Sequence, residues 1–169
     1  MTGTRIRSAD PGDRPFLLAM LVEAANWNGQ LLLTPAEVEA DPALAHYISG
    51  WGRPFDFGVV ALNDAGEPMG AAWARSFDID DPGYGFVAKD IPEISMAVVT
   101  AFRGQGVGTR LLAALIREAR GRGHDALSLS VEDGNPARIL YERAGFLRHS
   151  RNGNSDTMLL KATAGALGS

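Results

Sequence analysis

The feature that most constrains this chain is a glycine-rich junction between an apolar run and a helix-forming stretch. Arg103–Gly108 reads RGQGVG; it follows the run MAVV and precedes a stretch with helical periodicity that extends to about Arg122. Glycine costs backbone entropy inside regular elements, so three glycines here indicate a place that side chains must not crowd. The first amides of a helix lack intrahelical acceptors and carry the positive end of its dipole. The junction therefore predicts a cradle for a phosphate group, with Arg103 as a charged donor at its rim.

The helix after the junction is anchored by an apolar stripe, because Val107, Leu111 and Leu115 recur at the spacing of one helix face. A tight turn without a ligand is the plain alternative to a phosphate cradle.

The junction does not match either of two nucleotide-binding motifs, because each requires a residue that the chain lacks at position 109. The dinucleotide fingerprint G-x-G-x-x-G/A, read from Gly104, requires glycine or alanine where Thr109 stands, and a Walker loop requires lysine there. A dinucleotide-dependent oxidoreductase is therefore disfavoured.

Composition indicates one globular domain without covalent staples. The chain has 169 residues, of which 46% are apolar and 21% charged, enough to bury a core. It contains no cysteine, which excludes disulfides, thiolate zinc sites and a cysteine nucleophile. His46, His124 and His149 lie far apart without ligand spacing, so no metal site is expected.

The charge balance and the N-terminal region favour a cytoplasmic protein. The net charge is −4, from 16 basic and 20 acidic residues, and gives no reason to expect nucleic-acid or anionic-membrane binding. The apolar run Phe16–Val22 is too short to span a bilayer. It also follows Asp10, Asp13 and Pro15, which is unlike a signal peptide.

The order of predicted elements is β-α-α-β-β-β-α-β-α-β-β. Thr4–Ser8 is a predicted strand, Asp10-Pro11 starts a helix, and the capping-box-like Thr34-Pro35 starts a second helix that extends to about Ser49. The later elements are a hairpin turning at Asn63–Gly66, a strand over Glu93–Thr100, a helix to about Arg122, a strand over Ala126–Glu132, a short helix after Asn135-Pro136, and a hairpin near Asn152-Gly153. This order predicts a mixed sheet with helices on its faces.

Two motifs together resemble the GNAT superfamily of N-acetyltransferases. Arg103-x-x-Gly106-x-Gly108 matches that family's acyl-CoA pyrophosphate loop, (R/Q)-x-x-G-x-(G/A), and MAVV resembles the strand before it. Asn135–Phe146, NPARILYERAGF, is similar to the second CoA-side motif, in which Asn opens a helix, Tyr stands near its end and Gly-Phe begins the next strand. The resemblance is strong over residues 93–147 and weak before residue 57. It implies an α/β (α+β) single-domain fold with a mixed, mostly antiparallel central sheet of about six or seven strands flanked by about four helices.

The resemblance implies acetyl-CoA as cosubstrate and no metal. The pyrophosphate is expected on the amides of Arg103–Thr109. The pantetheine arm is expected along the edge of Met96–Val98, with a backbone amide near Val98 facing the thioester oxygen. Asn135 is a helix cap and also a candidate CoA contact. The implied cosubstrate-binding residues are Met96, Ala97, Val98, Arg103, Gly104, Gln105, Gly106, Val107, Gly108, Thr109, Asn135 and Tyr141.

Tyr141 and Glu93 are the candidate catalytic residues. The resemblance assigns Tyr141 the role of the acid that protonates the leaving thiolate; a half-buried core tyrosine is the alternative. Glu93 begins the fourth strand, close to where the family often keeps a carboxylate, and shares a face with Ser95 and Ala97. It is the candidate base for the attacking amine. A solvated acid at a strand start, with deprotonation through water, is the alternative.

The implied function is direct transfer of an acetyl group from acetyl-CoA to a primary amine, of a small molecule or a protein, in a ternary complex. A catalytically silent acyl-CoA-binding or sensor domain on the same fold is the alternative. Asp78, Asp80 and Asp81 are candidates for attracting a cationic amine, or simply a solvated loop. Residues 1–161 are expected to form the single acyl-CoA N-acyltransferase domain and residues 162–169 a flexible tail. The sequence leaves open the acceptor, the acyl chain preference and whether the protein forms a homodimer.

Overall fold

The strands of the described residues form one seven-stranded sheet that is antiparallel except at one pair of neighbours. The computed structural model describes residues 3–30 and 32–161, so the predicted tail over residues 162–169 lies outside the described residues. The strands are β1 (Arg5–Ser8), β2 (Phe57–Leu62), β3 (Pro68–Arg75), β4 (Glu93–Val98), β5 (Ala126–Glu132), β6 (Leu147–Asn152) and β7 (Ser155–Lys161). Their order across the sheet is β1-β2-β3-β4-β5-β7-β6, and β4 and β5 are the parallel neighbours.

In the described part of the chain, five α-helices accompany the sheet. They are α1 (Arg14–Ala25), α2 (Pro35–Ala40), α3 (Pro42–Ala45), α4 (Val107–Gly121) and α5 (Ala137–Ala144), with short 3-10 helices at Pro11–Asp13 and Thr100–Phe102. The predicted fold class and the mixed, mostly antiparallel sheet are confirmed, and the order of elements matches the prediction except that the second predicted helix is divided into α2 and α3.

The second predicted helix has the predicted start but not the predicted length. The Thr34 hydroxyl accepts from the Glu37 amide at 3.2 Å, and the Glu37 carboxylate accepts from the Thr34 amide at 3.1 Å, which is a capping box. Extension to Ser49 is wrong. Pro42 has no amide hydrogen and disfavours helical backbone in the residue before it, so Asp41 is extended and separates α2 from α3.

Helices cover both faces of the sheet. α4 and α5 cover one face, where Leu111 and Leu115 are fully buried in a core that extends from β2 to β7. α1, α2 and the segment after α3 cover the other face, around Leu17 and Trp73. β2 and β3 are buried along nearly their whole length. Their sequences are therefore continuously apolar rather than alternating.

Candidate active site

β4 and β5 meet at one position and separate beyond it. Glu93 pairs with Ser128, and the Ser128 amide donates to the Pro92 carbonyl at 3.0 Å. No later pair in the described part of the chain joins the two strands. Although β4 is central in the sheet, its residues from Ser95 to Val98 are only half-buried. The separation creates a wedge, the β4–β5 cleft, which is narrow at Glu93 and widens toward the end of β4.

The edge of β4 directs the amides of Met96 and Val98 into this cleft. The Val99 amide donates to the Met69 carbonyl on β3 at 2.8 Å. The amides of successive strand residues point to alternate sides of the strand. The Ala97 amide therefore points toward β3, as the Val99 amide does. Of the three β4 residues implied as cosubstrate-binding, Met96 and Val98 therefore present amides to the cleft, whereas the amide of Ala97 is used within the sheet.

The glycine-rich junction at the wide end of the cleft is open to ligand. Gly104 and Gly106 have left-handed backbone, with φ of 77° and 80°, which other residues rarely adopt. A β-carbon on either would meet no atom of the described residues within 4 Å. The first backbone hydrogen bond of α4 joins the Arg110 amide to the Gly106 carbonyl at 3.2 Å, so the amides before it have no acceptor within the helix. This amide-lined surface at the positive end of α4 fits a phosphate group.

The other junction residues differ in burial. Gln105 and Thr109 are exposed beside the cradle, whereas Val107 is 2% exposed and contributes only its backbone there. A β-carbon at Gly108 would lie 3.6 Å from Leu140 of α5 and 3.7 Å from the last residue of β4, which are ordinary contacts. Gly108 therefore lies where α4, α5 and the end of β4 meet, and this meeting point brings the two sequence motifs together.

Arg103 is at the rim of the junction, where it is bound to other protein groups. Its Nε donates to the Val98 carbonyl at 3.1 Å, and its Nη2 donates to the Glu23 carboxylate of α1 at 2.9 Å. The side chain is 48% exposed. Arg103 thus ties the end of β4 to α1, and a phosphate on the junction would compete with Glu23 for the guanidinium.

α5 holds Asn135 just before its start and Tyr141 on its core-facing side. The Asn135 side chain accepts from the Ala137 amide at 3.0 Å, as the capping role predicts. Tyr141 is 8% exposed and packs edge-to-face on Phe146 at 6.0 Å between ring centres. Burial raises the pKa of Tyr141 to about 12. The phenol therefore stays protonated at neutral pH, which is the form that a proton donor needs.

Glu93 at the narrow end of the cleft is 3% exposed, so the alternative of a solvated strand-start acid is wrong. The Tyr47 hydroxyl donates to its Oε2 at 2.5 Å, while Oε1 has no hydrogen-bond partner in the described part of the chain. Burial raises the pKa of Glu93 to about 7, and the Tyr47 hydroxyl and the Gly85 amide oppose that rise. A carboxyl group that titrates near neutrality is suited to accept a proton from an amine.

A cover segment, Gly83–Gly85, closes the narrow end of the cleft. A β-carbon at Gly83 would lie 2.2 Å from Glu93 Oε1, and one at Gly85 would lie 2.5 Å from the carbonyl carbon of Leu129. Both glycines are therefore needed because the backbone approaches its neighbours closely. The segment reaches from the carboxyl group on β4 to the backbone of β5.

Trp27, which follows α1, bounds the cleft at the end away from the cover segment. Its ring lies 3.7 Å from where a β-carbon at Gly134 would be, in the connection between β5 and α5. From Leu129, under the cover segment, β5 runs to Glu132, and Gly134 lies in the turn that follows. At about 3.3 Å per strand residue, the opening on this face is on the order of 10 Å long.

The acidic cluster predicted to attract an amine lies elsewhere. Asp78 and Asp81 line a groove together with the residues after α4, Arg122–Ala126. Asp81 pairs with His46 at 2.9 Å, and Asp78 lies 3.7 Å from Lys89. This groove is beside the N-terminal ends of β4 and β5, opposite to the glycine-rich junction, so these acids do not border the wide end of the cleft.

Tyr47 and Ser128 are site residues that the sequence analysis did not single out. Tyr47 is 46 residues from Glu93, and no local pattern connects the two. Ser128 had a partial signal, because the alternation in ALSLSVE places Ser128 and Ser130 on one face of a strand. Their polarity on a buried strand indicated a face that is not simply core.

The comparison with known proteins places the chain in a family. The Acetyltransferase (GNAT) family matches residues 21–146, a span that contains the cleft and both motifs. The L-methionine sulfoximine/L-methionine sulfone acetyltransferase of Pseudomonas aeruginosa is 35% identical over 147 residues, covering 83% of this chain and 78% of its own. The chain belongs to the GNAT acetyltransferase family and is an acetyl-CoA-dependent acetyltransferase. The predicted family, enzyme class and acetyl donor are confirmed.

Solved structures share the fold. The ribosomal-protein-alanine N-acetyltransferase of Brucella melitensis has a TM-score of 0.63 at 28% identity, covering 92% of this chain and 96% of that one. A phosphinothricin acetyltransferase from Sinorhizobium meliloti, solved with acetyl-CoA, has a TM-score of 0.65 at 19% identity, covering 94% and 88%. Within the residues described, no group of three or more His, Asp or Glu side chains is arranged to hold a metal ion. No helix in that part of the chain has the length and apolar character needed to cross a membrane.

Proposed function

We propose that this enzyme transfers the acetyl group of acetyl-CoA directly to the primary amine of a small, amino-acid-like molecule in a ternary complex. The observation that carries the proposal is the β4–β5 cleft, with an amide-lined junction at its wide end and Glu93 at its narrow end. We also propose that residues 1–161 form the acyl-CoA N-acyltransferase domain.

The wide end of the cleft has the groups that acetyl-CoA needs. Acetyl-CoA supplies the activated acetyl thioester; the amides of residues 104–109 would hold its pyrophosphate. The Met96 and Val98 amides would receive the pantetheine arm and the thioester oxygen, since they point into the cleft. Tyr141 would donate its proton to the departing sulfur. Asn135 caps α5 and keeps Tyr141 in place.

Glu93 would take the proton that the attacking amine loses. Its carboxylate lies beneath Gly83, so the proton would arrive through an ordered water or a neighbouring hydroxyl rather than by direct contact with the amine. Ser128 is the neighbouring residue on β5, and its hydroxyl has no partner within the described residues. In this route the Glu93 carboxylate is the base and a water carries the proton to it, so the two alternatives for deprotonation of the amine act together.

The size of the opening supports a small acceptor. The cover segment and Trp27 bound the cleft on the α1 face, and an opening on the order of 10 Å between them suits an amino acid better than a folded protein surface. The Pseudomonas relative acts on L-methionine sulfoximine and L-methionine sulfone. These two compounds are the first acceptors to test, followed by alanine-terminated peptides.

Initial-rate measurements of CoA release test the proposal. Intersecting double-reciprocal plots, with Glu93→Gln lowering kcat, are the expected result. Parallel plots would indicate an acetyl-enzyme intermediate and overturn direct transfer. Binding of acetyl-CoA with no turnover across a broad panel of amines would favour the silent binding or sensor domain.

A further inference from the structure

Tyr47 connects the proposed base to the segment that covers it. Its hydroxyl donates to Glu93 Oε2 at 2.5 Å and accepts from the Tyr84 amide at 2.8 Å. Tyr47 is 6% exposed, and its ring packs on Phe77 at 5.2 Å between ring centres. Its carbonyl accepts from Trp73 Nε1 at 2.9 Å. One hydroxyl in a fixed position therefore serves the carboxylate and the cover segment at once.

The other groups around Glu93 do not compete for this role. Arg75 is opposite Glu93 on β3, but its guanidinium donates to Asp56 at 3.0 and 2.9 Å and to a backbone carbonyl at 2.9 Å. On β5, the uncharged hydroxyl of Ser128 forms no hydrogen bond with the described part of the chain. Within that part, the Tyr47 hydroxyl is the side-chain donor that Glu93 has.

We propose that Tyr47 is a positioning residue for Glu93: its hydroxyl fixes Oε2 and the cover segment together and leaves Oε1, which has no partner within the described residues, to take the proton. This role depends on the base proposed for Glu93 above. A donor to a carboxylate favours its ionised form, whereas burial favours the protonated form. Without the hydroxyl, Glu93 would hold its proton at neutral pH, and the Tyr84 amide would lose its acceptor.

Infrared difference spectroscopy on the whole protein tests this role without an acceptor, because a protonated buried carboxyl group has its own C=O band. Glu93→Gln identifies that band by removing it. In Tyr47→Phe the midpoint of the band is expected to move to higher pH by roughly one to two pH units, a 10- to 100-fold change in proton affinity. The acid limb of kcat/KM is expected to move with it. Tyr84→Phe loses a hydroxyl but keeps the backbone amide, so its midpoint should stay at the wild-type pH.

An unmoved midpoint in folded Tyr47→Phe would overturn the role of Tyr47. If that variant does not fold, Gly83→Ala gives a second measurement, because its β-carbon would press on the Glu93 carboxylate and lie 2.8 Å from the Tyr47 hydroxyl. It is expected to shift the same midpoint, and an unmoved midpoint there overturns the proposal as well. Full activity of Glu93→Gln would instead overturn the proposed base. Loss of activity in Glu93→Gln with an unmoved midpoint in Tyr47→Phe overturns the positioning role alone.

Discussion

Arg103 and Glu23 form an ion pair, 2.9 Å between Nη2 and the carboxylate oxygen, that joins the glycine-rich junction to α1. The same guanidinium holds the carbonyl of Val98, the last residue of β4. The pair thus spans the wide end of the cleft, between the side proposed for the cosubstrate and the helix that borders the proposed acceptor side.

Arg103→Ala is expected to raise the KM for acetyl-CoA by roughly 10- to 100-fold, the worth of a charge-assisted hydrogen bond to phosphate. Glu23→Gln is the matched variant: it releases the guanidinium, so KM should fall or stay unchanged. Steady-state kinetics at two salt concentrations would measure both effects. An equal rise of KM in both variants would show that the ion pair acts by holding the end of β4 and not through phosphate.

Gly108→Ala is expected to separate stability from cosubstrate affinity. Alanine favours helix over glycine by up to about 1 kcal/mol, and its β-carbon makes only ordinary contacts with the protein. The same β-carbon would occupy space at the meeting of α4, α5 and β4 that acetyl-CoA would need, so affinity should fall at least about tenfold. Gly106 is a poorer choice, because its φ of 80° penalises any side chain.

Calorimetric titration with CoA and thermal unfolding measure the two quantities. Gly121→Ala, at the far end of the same helix, serves as the control, because its β-carbon would meet nothing within 4 Å in the part of the chain that the structure describes. It should keep wild-type affinity. Unchanged affinity in Gly108→Ala as well would remove the junction from the binding site.

Tyr141→Phe removes one hydroxyl and little packing. Stability is expected to change by no more than about 1–2 kcal/mol, and acetyl-CoA binding should be nearly intact. Turnover should fall by roughly 10²- to 10⁴-fold, the usual contribution of a positioned acid. A loss of stability and binding with a proportionate loss of rate would identify Tyr141 as core instead.

Glu93 is expected to make the fold less stable as pH rises toward neutrality. Its pKa rises from 4.5 to about 7 in the folded protein, so the folded state holds this proton more tightly than the unfolded chain. The rise in pKa corresponds to about 3 kcal/mol of folding stability. This stabilisation is complete below about pH 4.5 and is lost by about pH 7. Urea unfolding of wild type and Glu93→Gln across this range measures it. Parallel stability profiles for the two proteins would contradict the raised pKa.

Local sequence signals were enough to predict most of the fold and to locate the two segments that are proposed to bind the cosubstrate. The glycine-rich junction and the Asn135–Phe146 motif are continuous in sequence, and their position at the meeting of α4, α5 and β4 follows from the fold. Pro42 is itself a local signal for the division of the second helix, since proline disfavours helical backbone in the residue before it, whereas the capping box at Thr34 marks only where α2 starts.

The narrow end of the cleft could not be predicted in the same way. The bond from Tyr47 to Glu93 joins two distant segments, and the close approach of the cover segment to Glu93 depends on how the loop is laid over the sheet. Sequence alone placed Glu93 at a strand start, where a solvated and a buried acid look alike. Burial, which decides its pKa, is a property of the packed structure.

The separation of β4 and β5 beyond the Glu93–Ser128 pair does not divide the molecule. On the α4 face one hydrophobic core extends without a break from β2 to β7 and holds the two parts of the sheet together. The proposed acceptor opening is on the opposite face of the sheet. The core on the α4 face therefore accounts for cooperative unfolding, whereas the residues around the proposed opening on the α1 face would select the amine. We expect descendants of such a chain to drift toward new acceptors by substitutions around the opening while they keep a single melting transition.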